Sequence, residues 1–247
     1  MKQMVRDFGV NRISFYDDLM IADLGRLEKI VELINRDKSL SRLRFKLNAR
    51  ANLVNEKTAY LLSKMRVDSV GMGLESGNER TLRYLKSGSV SVKDNYESIR
   101  ILHKYGITAS ASFVIGSPDE TEAEIMDTYN FIRDSKVDFA DTYVLFPLPG
   151  TPVWEYAKSI GQVQDEGMDW GRLDCYYSNT KNPIVVSSHI SKEKMSKIYS
   201  KFKRQRICLA ARKAWFHPLF PDMIRAGLQR IKNLFVRDEC RLSQSLS

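Results

Sequence analysis

Glu75 closes the run DSVGMGLE and Gly116 closes GITASASFVIG; Arg50 closes LRFKLNAR and Asp18 follows RISFYD. Each is a charged or minimal residue at the end of a short β-like run. Successive side chains of a strand face opposite sides. With the apolar residues (Leu43, Phe45, Leu47, Val70, Met72, Leu74) turned toward helices, the other face reads Ser14, Tyr16 and Asp18, then Arg44, Lys46, Asn48 and Arg50. It continues with Gly71, Gly73 and Glu75, then Thr108, Ser110, Ser112, Val114 and Gly116. Unpaired charge is costly to bury, so such a face should hold water or a polar ligand. The glycines leave room for it against the strands. The plain structural alternative is that Arg44, Lys46 and Glu75 pair with one another. This is binding chemistry, and no nucleophile, general base or metal ligand set is assigned. Cys175, Cys208 and Cys240 lie 33 and 32 residues apart, which matches no metal motif, and an odd count suggests no disulfide framework. Free thiols in a reducing compartment are the expectation. His103 reads as a surface residue on a helix, and His189 and His217 have no Cys or carboxylate partner at metal spacing.

The elements that must position these residues alternate. Strands are expected at 12–17, 43–49, 69–74, 107–116 and 139–146. Helices are expected near 23–37, 55–65, 78–85, 91–105 and 120–135, from apolar residues at helical spacing such as Leu24, Leu27, Ile30, Val31 and Ile34. Asp119 with Glu122 reads as a capping box, and Thr151–Pro152 as an N-cap with Pro at the first helical position. Strands alternating with helices imply βαβ units and a parallel sheet. The fold class is therefore α/β, a partial (β/α) TIM-like barrel of about five parallel strands with a C-terminal helical tail. An ordinary barrel of this kind fills its interior with Val, Ile and Leu, and this one does not. The polar groups crowd at the strand ends, where barrel sites form. The expected division is a partial barrel over 1–160, an irregular connection over 161–190 and a basic helical tail over 191–247, with helices at 192–213 and 222–236.

The net charge of +9 sits in that tail. Residues 192–237 hold 13 Lys/Arg against Glu193 and Asp222, whereas residues 1–191 hold 25 basic against 26 acidic residues. Leu228, Ile231, Leu234 and Phe235 fall at helical spacing beside Arg225, Arg230, Lys232 and Arg237. A membrane-surface helix has this pattern. So does a helix docked on a missing N-terminal domain, or one with a solvated basic face. No nucleic-acid reader motif accompanies the charge. No apolar run approaches the roughly 18 residues of a membrane span, and MKQMVRDFGV has no signal-peptide core. The expected location is cytoplasmic, with attachment at a membrane surface left open.

Five motifs in order resemble the radical S-adenosylmethionine (SAM) enzyme core. FYDDLMI resembles its second-strand F-x-D-D-x-F element, LNARANLV the third-strand element with a terminal Arg, and VGMGLESGNERTLRYLKSG the fourth-strand G-x-E-S element with its trailing helix and Lys86. SFVIGSPDET resembles the fifth-strand G-x-P-x-E-T element and LFPLPGTPVWE the sixth-strand P-G-T-P element. The pattern is most similar to the cobalamin-binding branch, in which a B12 domain precedes the barrel.

The resemblance implies SAM and a 4Fe–4S cluster as cofactors, and cobalamin as a third. It implies methyl transfer to an unactivated carbon, or a related tailoring reaction, on a small-molecule or lipid-like substrate. Glu75 and Ser76 would contact the polar groups of SAM, and Arg50 its carboxylate or a neighbouring acid. Ile115 and Gly116 would pack by the adenine, and Asp18 would orient SAM or substrate at the mouth. Asn48 and Ser112 would either touch SAM or bond within the lumen. Soft thiolates spaced C-x3-C-x2-C hold the family's cluster, and this sequence has no such triad. The expectation is a truncated chain, inactive alone, with an exposed edge at 12–17. The alternative is a non-catalytic SAM-binding or scaffold remnant.

Overall fold

A computed structural model describes residues 1–17, 19–176 and 184–215. After a short helix α1 (Lys2–Phe8), five strands alternate with helices: β1 (Arg12–Ser14), α2 (Leu24–Arg36), β2 (Arg44–Ala49), α3 (Glu56–Lys64) and β3 (Val67–Glu75). There follow α4 (Glu79–Lys86), α5 (Val92–Lys104), β4 (Thr108–Ile115), α6 (Glu122–Asp134), β5 (Phe139–Val144), α7 (Pro152–Ser159) and α8 (Lys192–Trp215). The strands are all parallel and lie side by side in sequence order. This is the half-barrel expected from the alternation of elements. Residues 1–206 form one compact unit that carries the whole sheet, and residues 207–247 form a second. The tail helix expected at 222–236 and Cys240 lie outside the described residues.

Parity explains why one face is packed. On β2 the burial alternates strictly, with Phe45, Leu47 and Ala49 buried and Arg44, Lys46 and Asn48 exposed. On β3 Val70, Met72 and Leu74 are buried, and on β4 Ala109, Ala111, Phe113 and Ile115. These meet the apolar stripes of the helices: Leu27, Val31 and Ile34 of α2, Ala59 and Leu62 of α3, Ile99 and Leu102 of α5, Ile125 and Phe131 of α6. Each fully buried Leu, Ile or Phe contributes roughly 1.5–3 kcal/mol by leaving water. The connection after α7 also packs: Val163, Met168, Ile184 and Val186 join Trp154 and Ala157 in one cluster.

Every helix that follows a strand starts on a capping side chain. Asp23 accepts the Arg26 amide at 2.9 Å, Asn55 that of Thr58 at 2.9 Å, and Asn78 that of Arg80 at 3.0 Å. Thr151 caps α7, with Pro152 opening the helix. The capping box of α6 is Thr121 with Glu124, not Asp119 with Glu122. Both pairs have the right spacing, but the helix begins two residues later because the chain first turns at Gly116–Glu120. The first strand is also shorter than expected, since β1 ends at Ser14 and only the Phe15 amide continues the pairing, onto the Lys46 carbonyl at 2.8 Å.

Candidate functional site

The unburied face of the sheet presents its polar residues in rows set by the register. Asn48, Gly71 and Ser110 stand side by side, and Gly73, Ser112 and Asp141 form the next row. Val114 pairs with Tyr143 beyond them. Both glycines make room, but for neighbouring side chains. A Cβ at Gly71 would lie 2.5 Å from Asn48 Oδ1, and one at Gly73 would overlap Glu75 Oε1. The expectation that they clear space directly for a ligand is corrected accordingly: Asn48 and Glu75 fold across them and present the polar surface.

Glu75 is aimed by an irregularity. The β3–β4 register shifts between Gly73 and Glu75, and Glu75 has φ +62°, in the left-handed region that side chains other than glycine seldom adopt. A bulge of this kind re-aims a side chain at a strand end. The carboxylate then pairs with Lys86 Nζ of α4 at 2.9 Å, with both side chains about three-quarters or more shielded from water. No ion pair among the described residues joins Glu75 to Arg44 or Lys46, so the alternative of a network among those three fails. Arg50 closes the rim on the same side: its guanidinium donates to Ser89 Oγ at 2.8 Å, and Ser89 Oγ donates to the Lys86 carbonyl at 2.7 Å.

The structure sets the side chains of Ser76 and Ile115 off this face. Ser76 is fully buried, shares a hydrogen bond with Thr128 Oγ1 of α6 at 3.0 Å and accepts the Asn78 amide at 3.1 Å. Ile115 is likewise fully buried in the helix-packed set, so only its backbone borders the polar side. Gly116 has φ +84°, and a Cβ there would lie 2.8 Å from Met195 Cε of α8. What confines Gly116 is therefore its own backbone conformation and a helix side chain. Asp18 lies outside the described residues. Ser112 and Asn48 remain on the face with Glu75.

Two residues that sequence reasoning assigned no role organise the strand ends. Asn95 of α5 is fully buried and donates to the carbonyls of Leu74 at 3.0 Å and Ser76 at 3.4 Å, fixing the turn after Glu75. Glu120 is 2% exposed and accepts the amides of Gly116 at 2.6 Å and Ser117 at 3.0 Å through Oε2. Burial pushes its carboxyl up to about 7, against the opposing pull of those amides, with Glu124 adding to the rise. Glu124 itself is held down at about 2 by the Arg80 guanidinium. The G-x-P-x-E-T spacing contains Glu120, and an acid three residues after a strand-end Gly-Ser pair is the signal that marks it. At the far margin, Asp141 of β5 pairs with Arg206 of α8 at 2.7 Å, and the Tyr143 and Tyr176 rings meet edge-on at 5.4 Å.

The arrangement can bind a polar ligand through an amide, a carboxylate–ammonium pair and a hydroxyl on one open face. It does not fit an iron–sulfur cluster: among the described residues no three His, Cys, Asp or Glu side chains converge as metal ligands, and Cys175 and Cys208 stand apart.

An uncharacterized methyltransferase of Pyrococcus horikoshii is 28% identical over 195 residues, covering 79% of this chain and 40% of its own length. The bacteriochlorophyllide d C-12(1)-methyltransferase of Chlorobaculum tepidum is 29% identical over 168 residues, covering 67% and 35%. A tRNA-2-methylthio-N(6)-dimethylallyladenosine synthase of Buchnera aphidicola is 23% identical over 224 residues, covering 81% and 50%. The chain thus spans half or less of these relatives. The fold is that of the radical SAM methyltransferase TsrM from Kitasatospora setae, solved with cobalamin and a 4Fe–4S cluster: TM-score 0.55 at 17% identity, over 63% of this chain and 30% of that one. The family model described as the radical SAM superfamily matches residues 1–132, more than half of the chain, and to that superfamily the chain belongs.

Proposed function

We propose that this chain forms the SAM-facing wall of a cobalamin-dependent radical SAM methyltransferase acting on an unactivated carbon of a small-molecule or lipid-like substrate. The observation that carries the reading is the presence of Asn48, the Glu75–Lys86 pair and Ser112 in adjacent rows on the open face of a parallel sheet, toward the strand ends where such folds bind ligands. SAM brings an ammonium, a carboxylate, ribose hydroxyls and a sulfonium. Glu75 accepts from the ammonium or a ribose hydroxyl, while Lys86 holds the carboxylate in place. The Asn48 amide both donates and accepts, and the Ser112 hydroxyl does the same. These residues bind and orient SAM; the cofactors carry the hard chemistry. SAM supplies the transferable methyl group, and cobalamin is the carrier this reading assigns to it. No step is assigned to a cluster, because the described residues offer no ligand set for one. That same observation favours, for the 247-residue chain by itself, a second reading as a SAM-binding module without turnover.

Equilibrium dialysis with radiolabelled SAM tests the proposal on the purified chain. Saturable binding is expected, weakened at least tenfold by Glu75→Gln and by Asn48→Ala. Unchanged binding in both variants, or no binding by the parent chain, would overturn it.

A further inference from the structure

Two residues before the Asn48 row, the open face changes character. Ser14, Lys46, Ser69 and Thr108 stand side by side in one row across β1 to β4, and Arg44 lies beside Arg12 one row nearer the strand starts. Arg44 and Lys46 share the open side of β2, exposed on either side of the buried Phe45. Rows on one face lie roughly 6.6 Å apart along the strands, and neighbouring strands roughly 4.8 Å apart. Ser14 and Ser69 thus flank Lys46 within reach of one small group, and the long Arg44 side chain reaches the same group from the next row. The charge here is not cancelled locally. Arg12 pairs with Asp68 at 2.5 Å, Glu75 is taken by Lys86, and Asp141 by Arg206. Among the described residues the side chains of Arg44 and Lys46 have no ion-pair or hydrogen-bond partner, and the hydroxyls of Ser14 and Ser69 have none either.

We propose that Arg44 and Lys46, with the Ser14 and Ser69 hydroxyls, bind a phosphate monoester group. Charge selects it. Such a group carries about −1.5 to −2 at neutral pH and three acceptor oxygens, which matches two cations and two hydroxyl donors. A carboxylate brings one charge and two oxygens and leaves one cation unmatched. A nucleic acid is held by cations repeated along its backbone, but the next rows of this face hold Asn48, Gly71 and Ser110, then Gly73, Ser112 and Asp141. The assignment of the phosphate to the substrate rests on the proposed function. It makes that substrate a phosphomonoester extended along the face, with its phosphate roughly 13 Å, or two rows, from Ser112.

Isothermal titration of the full chain with glycerol 3-phosphate at physiological ionic strength tests the site. Saturable binding is expected, with glycerate at least tenfold weaker. The double variant Arg44→Met, Lys46→Met should lose affinity for glycerol 3-phosphate at least tenfold. It should keep its urea midpoint, because both positions are exposed, and its SAM affinity in dialysis. Glu75→Gln should do the opposite, with glycerol 3-phosphate bound as in the parent. No binding of glycerol 3-phosphate, equal binding of glycerate, undiminished affinity in the double variant, or tighter binding of a single-stranded RNA that the double variant abolishes would each overturn the proposal. A chain that binds glycerol 3-phosphate and not SAM would keep the site and overturn only its assignment to a methyltransferase substrate.

Discussion

Replacing Glu120 by Gln should stabilise the protein above neutral pH and leave it nearly unchanged in mild acid. The native carboxyl is raised from its ordinary 4.5 to about 7, chiefly because it is buried. The sign follows from proton binding. Between those two values the folded state holds a proton that the unfolded chain has released, so stability falls as pH rises. Below 4.5 both states are protonated and the penalty is absent; above about 7 it is fully present. The span corresponds to about 3 kcal/mol, at roughly 1.4 kcal/mol for each tenfold change in proton affinity. Gln keeps an acceptor for the Gly116 and Ser117 amides and cannot ionise. Its amide also offers a donor toward the buried Thr81 hydroxyl, which faces the native carboxyl and favours its charged form. Urea denaturation of parent and variant from about pH 5 to about pH 8 reads the effect directly, and the difference should grow to about 3 kcal/mol over that range. Glu124, held at about 2, loses its stabilising share only as pH falls below 4.5, outside the window. A difference that is flat in pH would refute the reasoning. So would a parent that gains on the variant at high pH, because the carboxylate would then be stabilised by its two amides more than it is penalised by burial.

Gly73→Ala should separate the site from the fold. The new methyl overlaps Glu75 Oε1, so the carboxylate must leave Lys86; SAM affinity in the dialysis assay should fall at least tenfold while the urea midpoint moves little. Gly116→Ala should do the reverse, because a φ of +84° and Met195 Cε at 2.8 Å both resist a side chain. A loss of about 2 kcal/mol is expected by urea denaturation, and a loss under a few tenths would mean that the loop and Met195 relax freely.

The packed face was legible because strand parity has a period of two and one side must meet helices. Phe45, Leu47, Val70, Met72 and Phe113 are all where alternation puts them. The same alternation set Val114, not Ile115, on the polar side; resemblance alone named Ile115 and Ser76, and both side chains are buried among the helix-packed residues. The role of the glycines was only half legible. A missing Cβ announces a close approach, but what approaches depends on side-chain geometry, and Glu75 reaches back over Gly73 only because the register slips and its backbone turns left-handed. Glu120 was overlooked for a related reason. An exposed cap and a buried amide acceptor have the same local sequence, and what buries the loop comes from far along the chain: Met195 of α8 against Gly116, and Ser187 and Ser188 bonded to the Glu120 and Pro118 carbonyls.

The capped helix starts have a consequence for charge at long range. Five helices, α2, α3, α4, α6 and α7, each follow a strand in the chain. In a parallel sheet this gathers five helix N-termini around the rim where Glu75 and Arg50 sit, each equivalent to about half a positive charge. Asp23, Asn55, Asn78, Thr121 and Thr151 each already hold an amide of the first turn. What remains is chiefly a field: an attraction that draws a carboxylate or phosphate toward the rim without specifying its shape, and leaves selectivity to the side chains on the sheet.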